Sequence, residues 1–483
     1  MMNPSRLPII LCTLCTLIFL SISGANVTAS PPNIIVILTD DQGYGDLSAH
    51  GHPVLKTPNL DRLHRESVRL EDHLISPTCA PTRSALLTGR HEFKNGVTHT
   101  IFERERLRPD AITLAQTLKR GGYTTGIFGK WHLGDENDRL PGKRGFDEVF
   151  IHGAGGIGQS YTGSCGDAPG NTYFDPAIWH NDHFEKTKGY CTDVFFGQAT
   201  KWIDKVASDK KPFLAWIATN TPHAPLQLRP EDEARYKGKC SAEEARFYGM
   251  IANIDDRVGD LLAYLEKHGL ERETLIVFMN DNGGTVGTKT FNAGMRGSKG
   301  TVWRGGTRGA CFLRWPGTLK PQGINAPTAH IDFFPTIADL GGVSLSGAEK
   351  NQIEGRSIKP LLDNPDHAWP DRYLFSHLGR WPKGGAEKAK YTTCAVRFGS
   401  YTLIQPKFLA AGDGKQAWQL YDLSKDPGQK TDISANHPDL VKQMEMAYDR
   451  WWDSVTPDLV NEDVVPIAEN PFKTRFIKQF GHP

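Results

Sequence analysis

Asn33-Ile34-Ile35-Val36-Ile37-Leu38-Thr39-Asp40-Asp41 is the stretch that decides the fold class. Its apolar run is unbroken by polar alternation, so both faces of the strand it predicts must be covered, as in a parallel sheet packed between helices. The run then ends in two adjacent carboxylates. Three further stretches repeat the design. Thr124–Phe128 leads into Gly129-Lys130-Trp131-His132, Phe213–Ala218 into Asn220-Thr221-Pro222-His223, and Leu275–Met279 into Asn280-Asp281-Asn282-Gly283-Gly284. Helical patterns over Asn59–Glu66, Ile112–Lys119 and Glu243–His268 lie between them. Alternating strands and helices predict an α/β domain with a large sheet sandwiched by helices. In such sheets ligands bind beyond the carboxyl ends of the strands, which is where these carboxylates, the lysine and the two histidines fall.

The texture changes after Ser357–Leu362. Strand-like Tyr373–Phe375, Cys394–Arg397, Tyr401–Ile404 and Gln419–Asp422 precede a last helical stretch at Asp439–Ser454. This predicts a smaller antiparallel sheet with a packing helix. The expected organisation is a leader at 1–25, a catalytic domain at 26–365 and a C-terminal subdomain at 366–483. The leader reads as a secretory signal peptide: Arg6, then an uncharged run to Gly24, then small residues at Ser23-Gly24-Ala25. Export to a periplasmic or extracellular location follows, with no stable membrane insertion once the leader is removed.

Across 483 residues, 56 Lys and Arg face 55 Asp and Glu, which gives no electrostatic reason to expect a nucleic-acid partner. Hydrophobic residues at 39% and charged residues at 23% fit a folded globular chain. Of eight cysteines, Cys12 and Cys15 lie in the leader, and no CxxC pair suggests zinc. Cys165 and Cys191 flank an aromatic-rich insert, and an oxidising compartment allows a disulfide between them. That insert, His152 to Tyr190, carries Tyr161, Tyr173, Phe174, Trp179, His180 and His183. With Trp381, beside Arg380, it is expected to offer ring faces to a sugar.

Cys79-Ala80-Pro81-Thr82-Arg83 opens a helix: Pro81 suits the first turn and Ser84–Leu87 continue it. Cys79 then sits at a helix N-terminus, where negative charge is favoured, with Arg83 one turn on. Cys79-x-Pro81-x-Arg83 followed by Leu87-Thr88-Gly89-Arg90 resembles the signature of the type I sulfatases. The resemblance extends, in family order, through Asp40-Asp41, Gly129 to Gly134, Pro222-His223-Ala224-Pro225, Asn280 to Gly283 and Arg296 to Gly300. It implies an alkaline-phosphatase-like fold and oxidation of Cys79 to Cα-formylglycine by a formylglycine-generating maturation enzyme. The hydrated aldehyde has two hydroxyls. One attacks sulfur and displaces the alcohol, and the other is then deprotonated and expels sulfate.

The resemblance also implies one Ca²⁺ held by Asp40, Asp41, Asp281 and Asn282 and touching the modified Cys79, a donor set of hard oxygens that suits calcium. It gives Arg83, Lys130 and Lys299 the sulfate charge, His132 the base for sulfate release, and His223 the acid for the leaving oxygen. Lys130, His223 and Lys299 would also bind the substrate, expected to be a sulfated saccharide. Two alternatives stay open: a related phosphoester or phosphonate hydrolase, and a glycan-binding protein with unmodified Cys79. One departure stands out. Arg304 in Trp303-Arg304-Gly305-Gly306 occupies a place where the family often has Glu, which leaves the charge partner of Lys299 open.

Overall fold

The computed structural model describes residues 31–159, 161–406 and 417–482, so the signal-peptide expectation for 1–25 lies outside the described residues. The dominant element is a ten-stranded sheet. Its strands run, from edge to edge, Gln322–Ile324, Val68–Leu70, Cys311–Arg314, Thr274–Asn280, Asn33–Thr39, Phe213–Ala218, Thr124–Lys130, Glu148–His152, Ala177–His180 and His183–Lys186. The four runs singled out in the sequence are consecutive in the middle of this order, and all pair in parallel. Their register sets Leu38 beside Ala218 and Met279, so their carboxyl ends open on one edge.

Alternation along Asn33–Thr39 divides two cores. Ile34, Val36 and Leu38 pack with Ala80, Leu86, Leu114 and Ile337, while Ile35 and Ile37 pack with Leu60, Phe195, Ile203 and Ile254. Helices Cys79–Thr88, Leu114–Arg120 and Phe333–Leu340 therefore cover one face, and Pro58–Arg65, Cys191–Ala207 and Ala242–Lys267 the other. At about 25 cal/mol per Å² of apolar surface, burial on both faces is what holds the central strands. Gly129 shows how closely they approach: its φ is 110°, and a Cβ there would lie 1.9 Å from the Ala218 carbonyl oxygen.

The C-terminal strands Tyr373–His377, Cys394–Phe398, Tyr401–Gln405 and Gln419–Asp422 form the expected antiparallel sheet. Helix Pro438–Val455 packs on it through Met444, Tyr448, Trp451 and Trp452. That helix is not the last, because Pro471–Phe480 follows and docks on the far edge of the large sheet. Among the described residues no helix is long and apolar enough to cross a membrane.

Three expectations for the aromatic residues and cysteines fail, each because packing claims the side chain. Trp179 is buried, with its ring 5.5 Å from that of Phe472 and 5.2 Å from that of Phe184. Trp381 is buried beside Phe93 and Trp452 and donates to Glu462 at 2.8 Å. Cys165 and Cys191 are free buried thiols. Cys191 starts a helix in the core with Tyr173 and Tyr190, while the Cys165 amide is held by Glu105 at 2.6 Å.

The Trp179 packing yields a prediction. Trp179→Ala should lower unfolding stability by about 3–5 kcal/mol, measured by denaturant titration. Unchanged stability with selective loss of saccharide turnover would return Trp179 to a substrate-binding role.

Candidate active site

Helix Cys79–Thr88 begins at Cys79 directly after the extended residue Thr78, and no side chain caps it. Its first amide groups are therefore open to an anion. The Cys79 sulfur, standing where a hydroxyl of the hydrated aldehyde would lie, is 3.5 Å from His132 Nδ1. His132 Nε2 lies 2.9 Å from the Thr100 carbonyl oxygen. A carbonyl only accepts, so Nε2 carries the proton and Nδ1 turns its lone pair on Cys79. Burial, reinforced by Lys130, holds His132 well below its ordinary pKa. Its backbone is left-handed at φ 58°, a conformation costing about 1–2 kcal/mol in a non-glycine residue.

Two buried cations, Arg83 and Lys130, and the partly exposed Lys299 meet three buried carboxylates at the same site. Lys130 Nζ donates to Asp40 Oδ2 at 2.7 Å. Arg83 clasps Asp281 Oδ2 through Nε at 2.9 Å and Nη2 at 2.7 Å, and Nη1 reaches the Lys130 carbonyl at 3.3 Å. Lys299 Nζ donates to Asp41 Oδ1, which also accepts from Asn282 Nδ2 at 3.0 Å. Asp41, at φ 67°, turns the chain so that both aspartates point inward. Burial pushes the Asp40 carboxyl up to about 6 against the pull of Lys130. Burial also acts on Asp41, but there Lys299 and His223 prevail and hold it well below the usual range. Burial and Asp40 raise Asp281. Burial disfavours ionisation of Cys79, yet Lys130 and Lys299 outweigh it and lower its pKa.

The residues fit a hard divalent cation. Donor atoms of Asp40, Asp41 and His223 lie within 4.8 Å of one another, as do those of Asp40, Cys79 and Asp281. Asp40 Oδ1 and Asn282 Oδ1 are buried without a hydrogen-bond partner among the described residues. An orphaned buried oxygen on a carboxylate is costly unless something electropositive faces it. The unused donors are oxygens, which favours calcium or magnesium over zinc.

The cluster opens into a cavity of about 250 Å³ whose wall includes Cys79, His132, His223 and Lys299. His223 Nδ1 donates to the Ala224 carbonyl at 2.6 Å, leaving Nε2 toward the cavity, 3.8 Å from Asp41 Oδ2. Burial lowers the His223 pKa, with Asp41 opposing. Tyr173, expected on the rim, is buried instead and donates to the His223 carbonyl at 2.8 Å. All the motif residues named from sequence meet here: Asp40, Asp41, Cys79, Arg83, Lys130, His132, His223, Asp281, Asn282 and Lys299. Arg304 does not face Lys299; it pairs with Asp72 at 3.3 Å, and the partner of Lys299 is Asp41.

The sequence reading missed Thr100, which acts through a backbone carbonyl and leaves no side-chain signal. It also missed His99 and Arg380 in the cavity wall, and buried His152, which pairs in register with Lys130 at the end of strand Glu148–His152. A histidine closing a short apolar run, Val149-Phe150-Ile151, was the available signal for the last.

Comparison with known proteins accords with this arrangement. The Sulfatase family model matches residues 32–343, and a model for the C-terminal part of N-sulphoglucosamine sulphohydrolase matches 299–450. The chain is 30% identical to arylsulfatase J of Mus musculus over 454 residues, covering 86% of this chain and 75% of that protein. It is 29% identical to arylsulfatase A of Homo sapiens over 459 residues, 86% of each. A crystal structure of Ps i-CgsB in complex with k-i-k-neocarrahexaose superposes with a TM-score of 0.78 at 28% identity, covering 89% of this chain and 97% of the other.

Asp281→Ala strands the buried Arg83 guanidinium. Removing one partner of such a pair costs about 3–5 kcal/mol, and chelator-containing denaturation should show a loss of that order. Adding Arg83→Met should recover part of it. A double variant less stable than the single would show that the pair is not coupled in this way.

Proposed function

The chain belongs to the sulfatase family, and from that membership we propose that it releases sulfate from sulfated carbohydrates through an oxidised Cys79. Sulfate-ester hydrolysis itself is the family's activity. One observation carries the finer reading: Cys79 lies 3.5 Å from the unprotonated nitrogen of His132, amid buried oxygens that lack partners among the described residues. As the hydrated formylglycine, residue 79 presents one hydroxyl to sulfur. The alkoxide leaves as the S–O bond breaks, and His223, protonated on both ring nitrogens beside Asp41, gives it a proton from Nε2. His132 Nδ1 then takes the proton of the second hydroxyl, sulfate departs and the aldehyde returns. Burial keeps His132 neutral and so fit for that step. Arg83, Lys130 and Lys299 set positive charge against the sulfate oxygens.

Asp40, Asp41, Asp281 and Asn282 would hold a calcium ion. When bound, it lowers the pKa of the attacking hydroxyl and polarises the sulfate. The neocarrahexaose bound to Ps i-CgsB and the polar wall of the cavity support a saccharide substrate. A formylglycine-generating enzyme is then a required partner, and the signal-peptide pattern at 1–25 supports a site of action in the periplasm or outside the cell. The 26–365 and 366–483 division assigns the strand-end chemistry to the first part.

Leaving-group dependence tests the reading. A sugar alkoxide needs a proton as it departs, and a nitrophenolate does not. General-acid assistance is worth about 10²–10⁴-fold, so His223→Ala should slow a sugar sulfate by that factor more than a nitrophenyl sulfate. Equal losses on both would remove His223 from the acid role. Turnover of aryl sulfates alone, across a panel of defined sulfated saccharides, would overturn the carbohydrate assignment.

A further inference from the structure

Charge is matched throughout the reaction centre except at one point on its wall. Lys130, Arg83 and Lys299 each have a carboxylate partner, Asp40, Asp281 and Asp41. Arg380, which lines the same cavity, forms no ion pair among the described residues. It makes a long hydrogen bond, Nη2 to Thr100 Oγ1 at 3.3 Å, and its Nε is buried with no partner among the described residues. A guanidinium has five donors in a planar fork that suits carboxylate or sulfate. Leaving most of them unused on a cavity wall is unfavourable unless a ligand arrives to use them.

Its surroundings accentuate the point. His99 shares the wall, and its Nδ1 accepts from the amides of Thr100 at 2.8 Å and Ile101 at 3.1 Å. Its remaining ring nitrogen is therefore a neutral N–H donor. Arg380 follows strand Tyr373–His377 of the small sheet, so the C-terminal part of the chain supplies it. Arg104 nearby is already engaged by Glu462 and the Trp381 carbonyl.

We propose that Arg380 is a specificity-determining residue that binds a second anionic group, a carboxylate or another sulfate, on the substrate whose sulfate ester is cut at Cys79. The substrate class this selects is a polyanionic saccharide rather than a singly sulfated one. The proposal rests on the carbohydrate reading for the sugar, but the recognition of a second charge stands apart from it.

The test compares kcat/KM for substrates with and without a second anionic group, in two series: disaccharide sulfates, and aryl sulfates with or without a ring carboxylate. For Arg380→Ala the preference for the doubly charged member should fall about 10–100-fold, chiefly through KM, because hydrogen bonds to charged groups are the strong ones. Arg380→Lys should restore part of it. A merely structural role, through Thr100 and the His132 it holds, would lower kcat on every substrate and leave the preference as it was; that result overturns the proposal. So does an unchanged preference in both series. A preference lost in the aryl series, with no saccharide turned over by the unmodified enzyme, supports the second-anion site and removes the sugar.

Discussion

Three cation–carboxylate pairs, gathered at the ends of the central strands, are the constraint on which the rest of the structure depends. Lys130–Asp40 and Arg83–Asp281 are closed at 2.7 Å, and Lys299–Asp41 completes the set. Taking one such ion out of water costs several kcal/mol even after relaxation, and mutual attraction offsets it only when geometry is good and spare lone pairs find partners. Here two spare oxygens, Asp40 Oδ1 and Asn282 Oδ1, have none among the described residues. The cluster is therefore incomplete as a purely structural device. Its spare oxygens have the chemistry of ligands for a hard cation.

The fold supplies the precision this requires. Parallel pairing fixes Lys130 within its strand and Asp40 and Asp281 one residue past theirs, whereas His223 sits in the loop after Phe213–Ala218, its carbonyl held by Tyr173. The Cys79 helix is buried along its whole length, so its N-terminus is set by core packing. Left-handed turns at Asp41 and His132 store local strain in two residues of this cluster. The surrounding apolar burial can absorb that cost.

Legibility in the sequence followed the physics closely. The four central strands could be read because burial on both faces demands unbroken apolar runs, and what followed each run gave the site. The short edge strand Gln322–Ile324 and its neighbour Val68–Leu70 were not visible, since their identity comes from pairing partners far along the chain. Aromatic composition misled for Trp179, Tyr173 and Trp381, because a ring packed in a core and a ring facing a sugar look alike in a sequence. Thr100 contributes a carbonyl that any residue could provide. Arg380 is an arginine in a loop, and only the fold reveals that it has no carboxylate partner among the described residues.

The central claim is that position 79 acts as an oxidised residue, with His132 serving its hydroxyl. The most direct measurement is peptide mass mapping of the active protein after thiol alkylation and, in parallel, after treatment with a carbonyl-reactive hydrazide. The account predicts that the peptide carrying residue 79 resists alkylation, takes up the hydrazide, and does so in proportion to specific activity. A fully active preparation whose Cys79 is alkylated as an intact thiol would contradict it.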